Sequence, residues 1–169
     1  IGVTIGNGWF RGNLAWGNHY NIYGKELALL MQVNIVYTDG SKETIASNPN
    51  WKSNTGAIQY AEIYHGETYD ARKEPMGWNK AGYSDKDWKP VAVANIPLKE
   101  IIATENEPVK KQETFPALKI FTTPKGEQVI DFGQNLVGWV VIKARGKAGD
   151  QIKVSHAEVL DKYGNFYTE

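Results

Sequence analysis

The sequence has no cysteine among its 169 residues, which excludes disulfide bonds, thiolate metal sites and a cysteine nucleophile. It also has no excess of charge, since 19 lysines and arginines balance 19 aspartates and glutamates. A nucleic-acid or acidic-membrane partner would require a basic excess. No apolar run approaches the roughly 20 residues of a membrane span, and no signal peptide is visible in the sequence, which opens at Ile1 as a strand-like segment. We therefore expect a piece of a longer protein, with a periplasmic or secreted location favoured over a cytoplasmic one.

Several catalytic motifs are also missing. The sequence contains neither a Gly-x-Ser-x-Gly elbow nor a phosphate-binding loop. The start Gly6-Asn7-Gly8 is similar to a dinucleotide fingerprint, but Arg11 occupies the position of the third glycine. The three histidines show no zinc-ligand spacing. Acidic residues cluster between 62 and 74, yet no motif distinguishes a catalytic pair from a solvated face. We predict no catalytic residue in this chain.

Aromatic residues are plentiful, with six tryptophans and nine tyrosines. The densest group is the segment 6–12, GNGWFRG, where glycine, asparagine and arginine interrupt the aromatic pair. Such a pattern favours a loop that stacks a ring face on a sugar while polar neighbours contact its hydroxyl groups. We predict Trp9 as the stacking platform, with Asn7 and Arg11 as hydroxyl partners. The alternative is that these aromatics fill the core, because each can bury a large area.

A second candidate segment spans residues 63–72, IYHGETYDAR. Tyr64, Glu67 and Asp70 could line a sugar pocket there. Alternatively, Asp70 and Arg72 pin a turn by hydrogen bonds. We predict no metal ligand and no bound cofactor, although calcium is an open alternative, since asparagine and aspartate oxygens are its usual ligands. The residues that could contribute oxygens are Asn7, Asn18, Asp70 and Asp85.

Short alternating segments with glycine turns predict an all-β fold, a jelly roll or β-sandwich with antiparallel sheets and little helix. The clearest hairpin signal is Asp39-Gly40 after the strand-like segment 29–37. Further strands are predicted at 43–46, 57–64, 91–96, 118–122, 128–132, 138–144 and 151–156, and short helical turns at 24–30 and 84–88.

Proline content divides the chain. Pro97, Pro108 and Pro116 fall in one stretch, and proline cannot donate to a central sheet ladder. We predict a β-sandwich over residues 1–96 that resembles a carbohydrate-binding module and lacks its first strands. Residues 97–115 are predicted as a linker or edge strand, and residues 116–169 as the start of a second β-sandwich.

Several motifs in one order resemble the bacterial α-L-rhamnosidases. Segment 6–12 resembles their GNGWYRG element, with Phe10 in place of the usual tyrosine, and segment 64–72 is similar to their YxGExYDAR stretch, followed by Trp78. Segment 83–88 resembles an FDDSxW element. Segments 131–139 and 156–169 resemble the DFGQNMVGW and HAEVL…GNLYTE stretches. The resemblance covers essentially the whole chain.

The resemblance implies a function as well as a fold. Members of this family are multidomain inverting glycosidases that release L-rhamnose and combine β-sandwich accessory domains with a helical (α/α)6 catalytic domain. Their catalytic glutamates lie in the helical domain, and no position of this chain matches them. The resemblance therefore implies a non-catalytic accessory region of an α-L-rhamnosidase-like glycoside hydrolase. Its implied partners are a rhamnose-containing oligosaccharide and the catalytic domain of the same parent chain. The alternative is a purely structural module that packs against that domain.

Overall fold

The computed structural model describes residues 1–167. Thr168 and Glu169, the end of the last family-like motif, lie outside the described residues. Strands dominate the regular structure, and all the described strand pairs are antiparallel. The elements are α1 (Gly8–Arg11), β1 (Gln32–Val36), β2 (Lys42–Ala46), β3 (Lys52–Ser53), β4 (Ile58–Glu62), β5 (Gly66–Tyr69), β6 (Lys89–Pro90), β7 (Lys119–Thr122) and β8 (Gln128–Asp131), with 3-10 turns at Ala71–Lys73 and Leu98–Glu100.

The strands pair as four two-stranded sheets, β1 with β2, β3 with β6, β4 with β5 and β7 with β8. Three of these are hairpins between consecutive strands. In the first, Val33 faces Ile45 and Asn34 faces Thr44, so the alternation read from the sequence sets the register. The predicted fold class, all-β with antiparallel sheets and little helix, is confirmed.

Three loops share one backbone design: 37–41, 123–127 and 161–165. In each, the first residue's N–H donates to the carbonyl of the fifth, and the fourth residue donates back to the carbonyl of the first, at 2.8–3.0 Å. The fourth residue is always glycine in the left-handed region, with φ of 84° at Gly40, 86° at Gly126 and 81° at Gly164. A turn followed by one left-handed residue is a common closure of antiparallel strands. The Asp39-Gly40 signal therefore predicted the hairpin correctly, although only the glycine of that pair has positive φ.

The chain divides into two compact units, residues 1–100 and 101–169. Each has a sparse core: Ala57 in the first and Val129 in the second are the buried apolar residues of the described chain. Four polar residues of the described chain are also buried, namely Asn13, Glu62, Thr123 and Asn165. Hydrogen-bonded loops therefore contribute much of the order inside each unit. The boundaries predicted from proline content stay a prediction.

Some predicted elements are wrong. Residues 91–96, 138–144 and 151–156 lie outside any described strand, and 24–30 forms no helix. Segment 84–88 contains one hydrogen-bonded turn, from the Trp88 N–H to the Asp85 carbonyl at 3.0 Å. The turn between the last two predicted strands does form, because the N–H of Lys147 donates to Asp150 at 2.7 Å and Gly149 takes φ of 100°. Its arms expose their alternating apolar side chains, with Ile142 46% and Ile152 65% exposed. A hairpin whose apolar face meets no second layer is marginal.

Candidate functional site

The segment 7–13 leaves the chain's first residues, makes one helical turn and returns towards β4. Its turn, α1, has hydrogen bonds from the N–H groups of Arg11 and Gly12 to the carbonyls of Asn7 and Gly8, at 3.2 and 3.1 Å. Gly8 begins the turn with φ of 49°, in the region that glycine adopts without a Cβ penalty. One turn alone is unstable in water, so other contacts must keep this segment, here called the Trp9 arm, in place.

Glu62, the last residue of β4, supplies those contacts. One carboxylate oxygen accepts a hydrogen bond from the side-chain amide of Asn7 at 3.0 Å, and the other accepts from the backbone N–H of Asn13 at 2.9 Å. The carboxylate therefore joins both ends of the Trp9 arm. Glu62 is only 8% exposed, and a buried carboxylate requires hydrogen-bond donors of this kind.

Gly12 explains how the arm approaches Glu62 so closely. A Cβ atom at this position would collide with a carboxylate oxygen of Glu62 and with the carbonyl oxygen of Gly8. The motif therefore requires glycine here for close approach. Gly24 plays a similar part on the other side, since a Cβ there would collide with the ring of Phe10, and its N–H donates to the Phe10 carbonyl at 3.2 Å.

Asn13 connects the arm to the turn between β4 and β5. Its side-chain amide nitrogen lies 3.1 Å from Nε2 of His65 and 3.3 Å from the carbonyl of Ala15. Donation to both implies the His65 tautomer with a free lone pair on Nε2. Asn13 is 3% exposed, and its Oδ1 has no hydrogen-bond partner in the part of the chain that the structure describes.

The arm presents two of the predicted ligand-binding side chains to solvent. Trp9 is 49% exposed, and Arg11 is exposed in the last position of α1. The third, Asn7, is half-buried, and its amide nitrogen is engaged with Glu62. An indole face beside a guanidinium can stack on an apolar surface and donate hydrogen bonds at its edge.

A further aromatic follows in the loop 14–21, which Leu14 N–H closes on the carbonyl of His19 at 2.9 Å. Trp16 at its tip is 90% exposed. Ala15, Asn18 and Asn21 have φ near 60°, a conformation that costs non-glycine residues energy.

The second candidate segment lies on β5 and its flanks. Tyr64 in the turn is 48% exposed, and Glu67 on β5 is exposed and faces Ala61 in the hairpin. Asp70 instead caps the following 3-10 turn by accepting from the N–H of Arg72 at 3.1 Å. Its two oxygens also accept from the Arg72 guanidinium, both at 2.8 Å.

The pKa of Asp70 is lowered to about 2, chiefly because the Arg72 side chain hydrogen-bonds to the charged form, with help from the Arg72 backbone N–H and the nearby positive charges. This carboxylate is therefore occupied within its own turn. The sequence-level alternative, that Asp70 and Arg72 pin a turn, describes these bonds well.

The structure thus brings together the two segments selected from the sequence, but through other residues. The Trp9 arm meets the β4–β5 turn at Glu62, Asn13 and His65. Sequence reasoning did not choose these three. The signal that the sequence offers is a charged residue, Glu62, at the end of a predicted strand, together with a glycine-asparagine pair at 12–13. Both features are too common in proteins to identify a site.

Other possible sites are weaker. No group of three or more histidine or acidic side chains in residues 1–167 could hold a metal ion. A cavity of about 350 Å³ in the second unit is lined by Val159, Leu160, Asp161, Lys162, Tyr163 and Tyr167, none of which was a predicted site residue. Within the described range, no helix is long and apolar enough to span a membrane.

Comparison with known proteins places these motifs in a family. The model of the α-L-rhamnosidase N-terminal domain matches residues 1–113, which include the Trp9 arm and the β4–β5 hairpin. The chain belongs to the α-L-rhamnosidase family. A second family model, the bacterial α-L-rhamnosidase concanavalin-like domain, matches residues 121–169, so the resemblance read from the motifs is confirmed in both parts.

The relatives are much longer than this chain. An α-L-rhamnosidase of Streptomyces avermitilis is 40% identical over 99% of this chain and 16% of its own length. One from Formosa agariphila is 36% identical over 100% of this chain and 18% of its own length. The crystal structure of the Streptomyces avermitilis α-L-rhamnosidase complexed with L-rhamnose superposes with a TM-score of 0.80 at 38% identity, over 95% of this chain and 16% of that one. The chain therefore spans less than a fifth of these relatives.

Proposed function

We propose that this chain is a non-catalytic accessory β-sandwich region of an α-L-rhamnosidase-type glycoside hydrolase, and that it binds rhamnose-containing glycans. The carrying observation is the Trp9 arm, in which Trp9 is 49% exposed while a buried carboxylate joins both ends of the arm. Family membership supports the class of substrate, since the matched relatives are α-L-rhamnosidases.

In the proposed complex, the apolar face of a pyranose stacks on Trp9. Arg11 and the carbonyl oxygen of the Asn7 side chain contact its hydroxyl groups. Tyr64 and Glu67 extend the site on the neighbouring hairpin, and Asp70 contributes through the turn that it caps. A zero net charge suits a neutral ligand.

The test is calorimetric titration of the chain with L-rhamnose, with calcium and with a chelator. Saturable heat that is lost in Trp9→Ala is the expected result. Trp139→Ala is the matched control, because Trp139 is also exposed, at 70%, but belongs to the second unit. Equal loss in both variants, or no heat in the wild type under either condition, would refute sugar binding. Titration heat that appears with calcium and disappears with the chelator would show that sugar binding requires a calcium ion.

A second candidate function is interdomain packing against the helical catalytic domain of the parent chain. Large apolar side chains on the surface favour it. Val137, Trp139 and Val141 are among the exposed apolar side chains, at 70% or more. Exposed apolar surface of this extent is typical of a surface that meets another domain.

Packing and sugar binding respond differently to the same variants. If packing is the function, Trp139→Ala weakens association with a separately produced catalytic domain, and L-rhamnose changes nothing. A chromogenic rhamnoside assay completes the comparison, because turnover by the purified chain would contradict both non-catalytic functions.

A further inference from the structure

We propose that Glu62 is the positioning residue for Trp9, fixing the indole for sugar stacking by holding both ends of the Trp9 arm. The inference rests on the proposed sugar-binding function for its affinity readout. The fixed position of Trp9 depends only on contacts within the first unit.

The two hydrogen bonds by which Glu62 joins Asn7 and Asn13, here called the bracket, carry the inference. The two carboxylate oxygens of Glu62 accept from Asn7 and Asn13, six residues apart, at 3.0 and 2.9 Å. Trp9 lies between these two anchors on a single helical turn that has no buried residue. Since Glu62 ends β4, which is paired with β5, the bracket connects the Trp9 arm to a hairpin, whereas the other backbone contacts of the arm are with the loop residues 21–24.

Burial makes the bracket costly to lose. Glu62 is 8% and Asn13 is 3% exposed, so the N–H of Asn13 cannot exchange its acceptor for bulk water without movement of the arm. Gly12 completes the arrangement, because it leaves space for the carboxylate that any Cβ would fill. A binding side chain that is fixed before the ligand arrives loses less entropy on binding.

The requirement is for two hydrogen-bonding groups at the end of the side chain rather than for charge, and this separates positioning from general electrostatics. In Glu62→Gln, the side-chain oxygen can still accept from Asn13. The new amide can donate to Asn7 after the Asn7 amide turns over, since its oxygen and nitrogen are interchangeable in position. Glu62→Met keeps the approximate length of the side chain and removes both acceptors.

The experiment uses nuclear magnetic resonance of the full chain together with rhamnose titration. We expect the Trp9 indole N–H resonance to shift and broaden in Glu62→Met and to stay near its wild-type position in Glu62→Gln. Trp51 and Trp88, which are half-buried in the same unit, serve as internal references for intact folding. The matched control is Glu26→Met, at an exposed glutamate of the same unit.

The affinity for L-rhamnose should fall by about tenfold in Glu62→Met through loss of preorganisation, and little in Glu62→Gln. If Glu62→Met does not fold, Asn7→Ala removes one anchor only and should still broaden the Trp9 resonance. A Trp9 resonance unchanged in both Glu62→Met and Asn7→Ala would overturn the proposal. A wild type that binds no rhamnose would refute the sugar-binding function, while the resonance would still decide the role of Glu62.

Discussion

At the scale of single residues, glycines and carboxylates decide the local geometry of this chain. Gly12 permits the approach of Glu62, Gly24 permits that of the Phe10 ring, and Gly2 lies where a Cβ would collide with the ring of Trp78. Each of these glycines is required by a neighbour rather than by its own φ angle, since none of the three has positive φ. A substitution at any of them therefore tests a contact.

The sharpest of these tests is Gly12→Ala. We expect it to destabilise the first unit by about 2 kcal/mol, the usual range for overpacking a close contact, because the new methyl group displaces the Glu62 carboxylate. Gly6→Ala is the control, since a Cβ at Gly6 meets nothing within 4 Å. Urea unfolding followed by tryptophan fluorescence measures the difference, and equal midpoints for the two variants would contradict the assigned contact.

Asp70 provides a pH-dependent prediction. Its pKa lies at about 2 in the folded chain, below the ordinary value of 3.8, because the Arg72 side chain stabilises the charged form. The unfolded state therefore binds a proton first as the pH falls. The stabilisation is complete above about pH 4 and is lost as the pH falls through the folded value of about 2.

The measurement is the urea midpoint of the first unit between pH 5 and pH 2. Asp70→Asn should be less stable than the wild type at pH 5, and the gap should narrow towards pH 2. A gap that stays constant across this range would show that the carboxylate contributes nothing through its charge.

At the scale of elements, one loop conformation occurs three times, in the five-residue loops 37–41, 123–127 and 161–165. The glycines at positions 40, 126 and 164 all take left-handed φ, and a Cβ at Gly40 or Gly126 would meet nothing within 4 Å. The penalty for any other residue there is therefore conformational and not steric.

We expect Gly126→Ala to destabilise the second unit by about 1–2 kcal/mol, the cost of a left-handed alanine. Gly126→Asn should cost less, because asparagine tolerates this region. Gly138→Ala is the control, since Gly138 has neither positive φ nor a neighbour that a Cβ would touch. Thermal unfolding followed by circular dichroism ranks the variants, and an unaffected Gly126→Ala would contradict the loop conformation.

The sequence predicted these elements unevenly, for physical reasons. It located β1, β2, β4, β7 and β8, where alternation and a glycine turn coincide within a few residues. It failed at 138–144 and 151–156, where alternation is equally clear but the apolar faces are exposed. Alternation indicates that one face of a strand is apolar and suited to burial. It does not indicate whether this chain supplies the second layer that would cover that face.

The candidate site was predictable in part for a similar reason. The interleaving of aromatic and polar residues selected the Trp9 arm and the segment around Tyr64, and contacts at Glu62 and Asn13 bring these neighbourhoods together. Glu62 was not predicted, because its importance depends on a contact 55 residues away in sequence with Asn7. Local patterns cannot rank such a partner among 19 acidic residues.

At the scale of the whole molecule, sparse burial is the dominant property. Among residues 1–167, two buried apolar residues, Ala57 and Val129, compare with many large apolar side chains that are exposed by 40% or more. Marginal domains of this kind depend on contacts made outside their own boundaries. The family relatives are longer polypeptides, of whose length this chain spans 16% and 18%.

The isolated chain should therefore bind a hydrophobic dye such as ANS strongly under native conditions. We expect its fluorescence enhancement per mole to exceed that of a full-length relative such as the Streptomyces avermitilis α-L-rhamnosidase, and to fall when a catalytic domain is added. Dye fluorescence at matched concentrations measures this, with a compact monomeric protein as the baseline. An enhancement no greater than the baseline would show that the apolar surface is covered in solution.

The bracket around Trp9 also contains a residue pair that is prone to deamidation. Asn7 is followed by Gly8, and an asparagine before glycine is the pair most prone to deamidation through a cyclic imide. Loss of the amide would replace a donor to Glu62 by a second carboxylate, so that two negative charges would face each other across a former hydrogen bond. The time for which a preparation is stored would then determine the fraction of molecules in which the bracket is intact and Trp9 keeps its position.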